Sequence, residues 1–233
     1  MRRPVLALIA LCLLLPPLAF FAGGAALWWI HLGGYATAAA LALWLLRDDD
    51  ELRAAVTPRP GDASYAFVVS LALFLGAYFF VVQGMAPSPL LRVCTPRGAW
   101  VGPPNPTGVR AALEWLRDDT CVAWGRAASA RGPMRAVLVL LIASLEEVAW
   151  RGGVQHRLSD RLGATRGWLL ASALYAAAHL ATGRASLALL ALPAGLAWGA
   201  LFRARGSLVA PVLSHAIFSY FFMVQRAPFV VRG

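Results

Sequence analysis

VLALIALCLLLPPLAFFAGGAALWWIHLGGYATAAALALWLL, residues Val5–Leu46, holds no Asp, Glu, Lys or Arg over 42 positions. An α-helix rises about 1.5 Å per residue and the hydrocarbon core of a bilayer is roughly 30 Å thick, so one span needs about 20 residues. The stretch therefore reads as two membrane spans joined by a turn. Met1-Arg2-Arg3 before it resembles the start of a signal peptide, but the apolar run continues past the length of a signal core. Pro16-Pro17 predict a kink in the first span. Either Ala22-Gly23-Gly24 or the stretch from His31 to Gly34 supplies the turn. His31 reads as a polar residue near an interface, not as a ligand.

The pattern repeats along the chain. RDDDELRAAVTPRPGD, residues Arg47–Asp62, is a polar loop with a solvated acidic run. Ser64 to Gln83 is a third span. Gly84 to Pro106 is a proline-rich loop, and Thr107 to Ala130 contains a short amphipathic helix around Val109–Arg117. Four more spans follow, at Pro133–His156, Gly167–Thr182, Ser186–Phe202 and Ser207–Gln225. The fifth and sixth are short for lipid-exposed spans. The expected fold is an all-α, multi-pass transmembrane bundle of about seven spans. Residues 1–233 form a single integral membrane domain without internal repeats.

Composition agrees. Of 233 residues, 60% are hydrophobic and only 14% charged, with mean hydropathy +0.65. A water-soluble core of this size cannot hide that much apolar surface, and disorder is excluded by the same numbers. The formal net charge is +10, and all 21 basic residues are Arg. Most lie between apolar runs, which assigns them to cytoplasmic helix ends rather than to nucleic acid. Arginine without lysine, beside abundant alanine, reads as the codon bias of a GC-rich genome. With the N-terminus inside, Arg47, Arg53, Arg59, Arg157, Arg161, Arg166, Arg203 and Arg205 are cytoplasmic, and residues 84–132 lie outside. Cys12 is then an apolar filler within a span. Cys94 and Cys121 both fall in the external segment and can form a disulfide if that compartment is oxidising.

Ionisable groups inside a membrane are expensive and point to function. The fourth span carries Ser144-Leu145-Glu146-Glu147-Val148-Ala149-Trp150-Arg151. Adjacent helical positions lie about 100° apart, so the two carboxylates face different ways. Glu147 and Arg151 are four apart and predict an intrahelical ion pair, leaving Glu146 to point elsewhere. The fifth span contributes Tyr175 and His179, and the seventh His215 and Ser219. At about 1.5 Å per residue, Glu146 lies roughly 16 Å deep from Arg157, His179 roughly 18 Å from Gly167, and His215 about 12 Å from Ser207. One polar pocket near mid-membrane accommodates all three. His156 reads as interfacial. There is no HExxH zinc motif, no glycine-rich phosphate loop and no redox CxxC. Ser144, Ser172 and Ser214 form no recognisable nucleophile arrangement.

Glu146-Glu147-x-x-x-Arg151, the aromatic-x-x-x-His of Tyr175/His179 and the His-x-x-x-polar of His215/Ser219 resemble the CAAX-protease and bacteriocin-processing family of glutamic intramembrane proteases. The stretch from Gly195 to His215 is similar to the family's pattern before its last motif. The resemblance spans about residues 134–220, a family-like catalytic core. It implies a peptide-bond hydrolase of the cytoplasmic membrane in which Glu146 activates water, aided by His179. His215 and Ser219 stabilise the oxyanion, while Glu147, Arg151 and Tyr175 support the site. It implies no cofactor and no metal. The implied partners are the lipid bilayer and membrane-anchored or lipidated protein substrates, with no nucleic acid. The family commonly carries Asn where this chain has Ser219, and a serine hydroxyl donates from a shorter side chain. An Arg-rich, Ala-rich bacterial chain most resembles the sorting-type members that cut C-terminal membrane anchors, such as the myxosortases.

Other readings stay open at this level. A non-catalytic relative, an immunity or scaffold protein of the membrane, is favoured by Ser219. A metal-dependent protease is open because two His and one Glu can ligate zinc. A transporter more usually shows internal repeats.

Overall fold

The computed structural model describes residues 3–45, 47, 50–88, 93, 94, 108–127, 132–225, 230 and 231. Asp48 and Asp49 of the acidic run, residues 89–92 and 95–106 of the proline-rich loop, and residues 128–131 lie outside the described residues.

Helices α1 (Arg3–Ala22) and α2 (Gly24–Leu45) form a hairpin. The turn is at Gly23, where φ is +64°, a conformation that costs glycine no steric penalty. The first of the two expected turn positions is therefore used, and His31–Gly34 lies inside α2. The helix α1 runs through Pro16-Pro17 as one element. Gly34 lets the two helices close on each other: a Cβ there would sit 1.9 Å from Leu15 Cδ2.

The loop expected at Arg47–Asp62 contains a short helix, α3 (Asp50–Ala55). Next come α4 (Asp62–Tyr78), prolonged by a π-helical segment Phe79–Met85, and α5 (Gly108–Ala127). The latter is a 20-residue helix, longer than the short amphipathic piece expected. Its polar residues are not left in solvent, since Arg117, Asp119 and Thr120 are all buried. The fourth expected span begins as α6 (Gly132–Glu147). It widens into a π-helix at Val148–Gln155 and ends as α7 (His156–Leu162). The chain finishes with α8 (Ala164–Leu180), α9 (Ala185–Arg205) and α10 (Val209–Tyr220), the last prolonged by a π-helical Phe221–Gln225. A two-residue parallel pairing joins Val93–Cys94 to Val230–Val231. In the bundle, α8 packs on α9, α10 lies between α4 and α6, and α2 covers the π-helical segment after α6.

Among the described residues, four helical stretches are long and apolar enough to cross a bilayer: Arg3–Ala22, Gly24–Leu45, Asp62–Met85 and Ala185–Arg205. The sixth expected span is thus longer than its hydropathy limits suggested. A count of seven adds the shorter α6, α8 and α10 to these four. The outer faces are apolar, with Leu14, Phe21, Trp29, Phe67, Val68 and Leu189 exposed. A soluble monomer rarely shows an apolar surface of this extent. The protein is an all-α, multi-pass membrane protein.

Polar clamps tie the connections at each end of the bundle. At one rim, buried Asp62 accepts hydrogen bonds from Arg59 N (2.9 Å), Arg205 Nε (3.0 Å) and Ser207 Oγ (2.7 Å). Arg157 Nη2 donates to Leu45 O at the same rim (2.8 Å). At the opposite rim, Asp119 accepts from Arg184 Nη1 (3.1 Å), Ser186 N (2.9 Å) and Ser186 Oγ (2.7 Å). There Arg126 Nη1 donates to Phe20 O (2.8 Å), and Cys94 is bonded to Cys121. The expected disulfide is present. Cys12 is fully buried in the core among Leu8, Leu15 and Tyr35.

Candidate active site

Glu146 and Glu147 close the last α-helical turn of α6, immediately before the π-helical segment. Such wider turns are rare and recur at functional sites. Arg151 Nε donates to Glu147 Oε2 at 3.0 Å, and both side chains are fully buried. This is the ion pair that the four-residue spacing predicted. A buried ion pair holds its charges well only when its remaining atoms also find partners. Here His215 Nδ1, from α10, lies 2.9 Å from Glu147 Oε1, whereas Nη1 and Nη2 of Arg151 have no hydrogen-bond partner among the described residues. Glu147 therefore braces both Arg151 and His215.

Glu146 points the other way, towards a cavity. Tyr35 of α2 donates its hydroxyl to Glu146 Oε1 at 3.0 Å. His179, on α8, has Nδ1 2.9 Å from the Tyr175 carbonyl oxygen. A carbonyl only accepts, so Nδ1 carries the proton, and Nε2 of the neutral ring keeps its lone pair. In His215 the carboxylate of Glu147 likewise makes Nδ1 the donor. The His215 ring stacks on Trp198, centroids 3.8 Å apart and planes 19° from parallel. Trp198 Nε1 donates to Ser214 Oγ (3.2 Å), and Ser70 Oγ donates to Ser214 O (2.8 Å), which ties α9, α10 and α4 together behind the histidine. Tyr175 packs against His179 (4.6 Å between ring centroids) and under the Arg151 guanidinium (5.2 Å).

Glu146, His179, His215 and Ser219 all line one cavity of about 240 Å³, and Tyr175 forms part of its wall. The remaining wall is largely apolar and includes Trp28, Trp124, Ile142, Leu190 and Phe222. A largely apolar site with few convergent polar groups strengthens the electrostatic contacts made inside it. The overlapping depths read from the sequence belong to residues that line one shared space.

Three parts of the site were not in the sequence reading. His31 lines the cavity, with Nδ1 3.1 Å from Leu27 O and its ring stacked on Tyr35. The first turn falls at Gly23, and this sets His31 two helical turns inside α2 rather than in a connection. Tyr35, one turn further on, reaches Glu146 across 111 positions of sequence. The helix α5 supplies Ala123, Trp124 and Ala127 to the wall. A histidine and a tyrosine four apart on an apolar helix were the available signal for the first two. Nothing local marked α5 as part of the cavity wall. His156, in contrast, lies away from the cavity, 3.9 Å from Asp160.

Residues 130–221 match the family model described as type II CAAX prenyl endopeptidase Rce1-like. That segment is Rce1-like. It carries every residue of the resembling motifs, from Glu146 to Ser219, and agrees closely with the 134–220 limits of the resemblance. The Rce1-like family is one of CAAX proteases, so the likeness of this segment supports intramembrane protease activity in general terms. His31, Tyr35 and Trp124 come from outside the Rce1-like segment. No curated protein and no solved structure matches the chain significantly.

Proposed function

We propose that the protein is an intramembrane endopeptidase that uses water activated by Glu146. The observation that carries this reading is the convergence of Glu146, His179 and His215, from three helices, on one largely apolar cavity. In the proposed reaction a water molecule between Glu146 and His179 gives a proton to the carboxylate as its oxygen attacks the peptide carbonyl carbon. The Nε2 lone pair of His179 orients that water. The developing oxyanion lies at His215, whose Nε2–H is available when the ring is protonated. Glu147 balances that charge from the Nδ1 side, and the Trp198 face supports it from the stacking side. Ser219 lies one turn beyond His215 and adds a hydroxyl donor. The proton held by Glu146 then passes to the leaving amine as the C–N bond breaks. Arg151 and Tyr175 are positioning residues.

We assign the protein to the bacterial cytoplasmic membrane as a single integral domain. Its substrates are membrane-anchored proteins cut near a C-terminal sorting or anchor segment, as the myxosortase resemblance implies. Comparing membrane proteins from wild-type, deletion and Glu146→Gln strains by C-terminal peptide mass spectrometry tests this. Uncut precursors are expected in both mutants. Processing that persists in a folded Glu146→Gln protein removes Glu146 as the base and favours a non-catalytic immunity or scaffold role.

A further inference from the structure

The cavity belongs to one end of the bundle. Its wall takes Phe20 from the end of α1, Trp28 from the start of α2, Trp124 from α5, Thr182 just after α8, Leu187 from the start of α9 and Met223 just after α10. In an up-and-down bundle these positions share one rim. It is the rim that carries the Cys94–Cys121 disulfide and the Asp119–Arg184 clamp. Among the described residues, none of the cavity wall comes from the opposite rim, with its connections at 47–61, 156–163 and 203–208.

The disulfide assigns sides to these rims. Disulfides form and persist in oxidising compartments, which places Cys94 and Cys121 outside the cytoplasm. The disulfide is also part of the wall's support. Cys121 is one helical turn from Trp124, and Trp124 packs edge-on against Phe222 at 5.2 Å.

We infer that the cavity opens towards the extracytoplasmic face, so that the substrate is a polypeptide presenting an apolar segment at that face of the bilayer, not a cytoplasmic tail. The cleavage itself rests on the endopeptidase reading above, but the direction of opening does not. The test uses full-length chains. Val109, on α5 at the disulfide rim, is 78% exposed, and Val56, at the opposite rim, is 50% exposed. In intact cells a membrane-impermeant maleimide is expected to label Val109→Cys and to leave Val56→Cys unlabelled until the membrane is permeabilised. In the wild-type protein, Cys94 and Cys121 are expected to take up maleimide only after reduction. The reverse labelling pattern, labelling of both variants from outside, or free Cys94 and Cys121 thiols in unreduced membranes overturns the inference. Loss of the Glu146 assignment in the strain comparison leaves the labelling pattern unchanged, so the two failures are distinguishable.

Discussion

Removing a single oxygen atom tests how the proposed base is held. In Tyr35→Phe the ring keeps its place in the core and its stacking with His31, at 6.0 Å and 5° between planes. The hydroxyl donated to Glu146 Oε1 at 3.0 Å is lost, together with its contact to the Trp150 side chain. A hydrogen bond to a charged group contributes about 1.5–3 kcal/mol. At about 1.4 kcal/mol per factor of ten, the low end of that range corresponds to about a tenfold fall in kcat. The low end applies because Glu146 stays attached to the same rigid turn of α6 and loses orientation rather than position. The assay is steady-state cleavage, in detergent micelles, of a synthetic single-span peptide copied from a precursor that accumulates in the deletion strain. The expectation is a lower kcat with KM and thermal stability unchanged. If kcat stays within about twofold of wild type while Glu146→Gln is inactive, the phenol does not orient the base. A fall matched by lost thermal stability assigns Tyr35 to packing alone.

Glu147→Gln removes the charge that Arg151 and His215 share, so it should cost about 3 kcal/mol of stability and abolish cleavage; unfolding in mixed micelles measures the first effect. Unchanged stability would contradict the bracing role. Ser219→Ala should lower kcat by up to about 100-fold if the hydroxyl meets the oxyanion, and Ser219→Asn should restore the rate. An unaffected Ser219→Ala enzyme would assign the second donor elsewhere. Gly34→Ala should destabilise by about 1–3 kcal/mol through the clash with Leu15. Combined with Leu15→Ala it should cost less than the two single changes summed, and strict additivity would refute the close contact.

What could be read from the chain followed the range of each interaction. The four long apolar helices were legible because crossing a bilayer needs about 20 consecutive apolar residues, a local property. The Glu147–Arg151 pair was legible because helix geometry places residues four apart on one face. The cysteine pairing was legible as a shared compartment. The limits of α9 and the length of α5 were not: the end of α9 is fixed by the Arg205 contact with Asp62, and the middle of α5 by buried polar contacts such as that of Asp119 with Ser186. His31 could be placed in a connection only as long as the turn could fall on either of two glycine-containing stretches.

By itself the sequence determined a membrane bundle, the chemical groups lodged in it and the order in which helices deliver them. Only the tertiary structure decided that His215 leans on Glu147, that Tyr35 holds Glu146, and that α5 walls a cavity at the disulfide rim. Those contacts join residues as far as 111 positions apart in the chain. They depend on the rotation and register of one helix against another. Side-chain packing sets these, and no periodicity within a single helix encodes them.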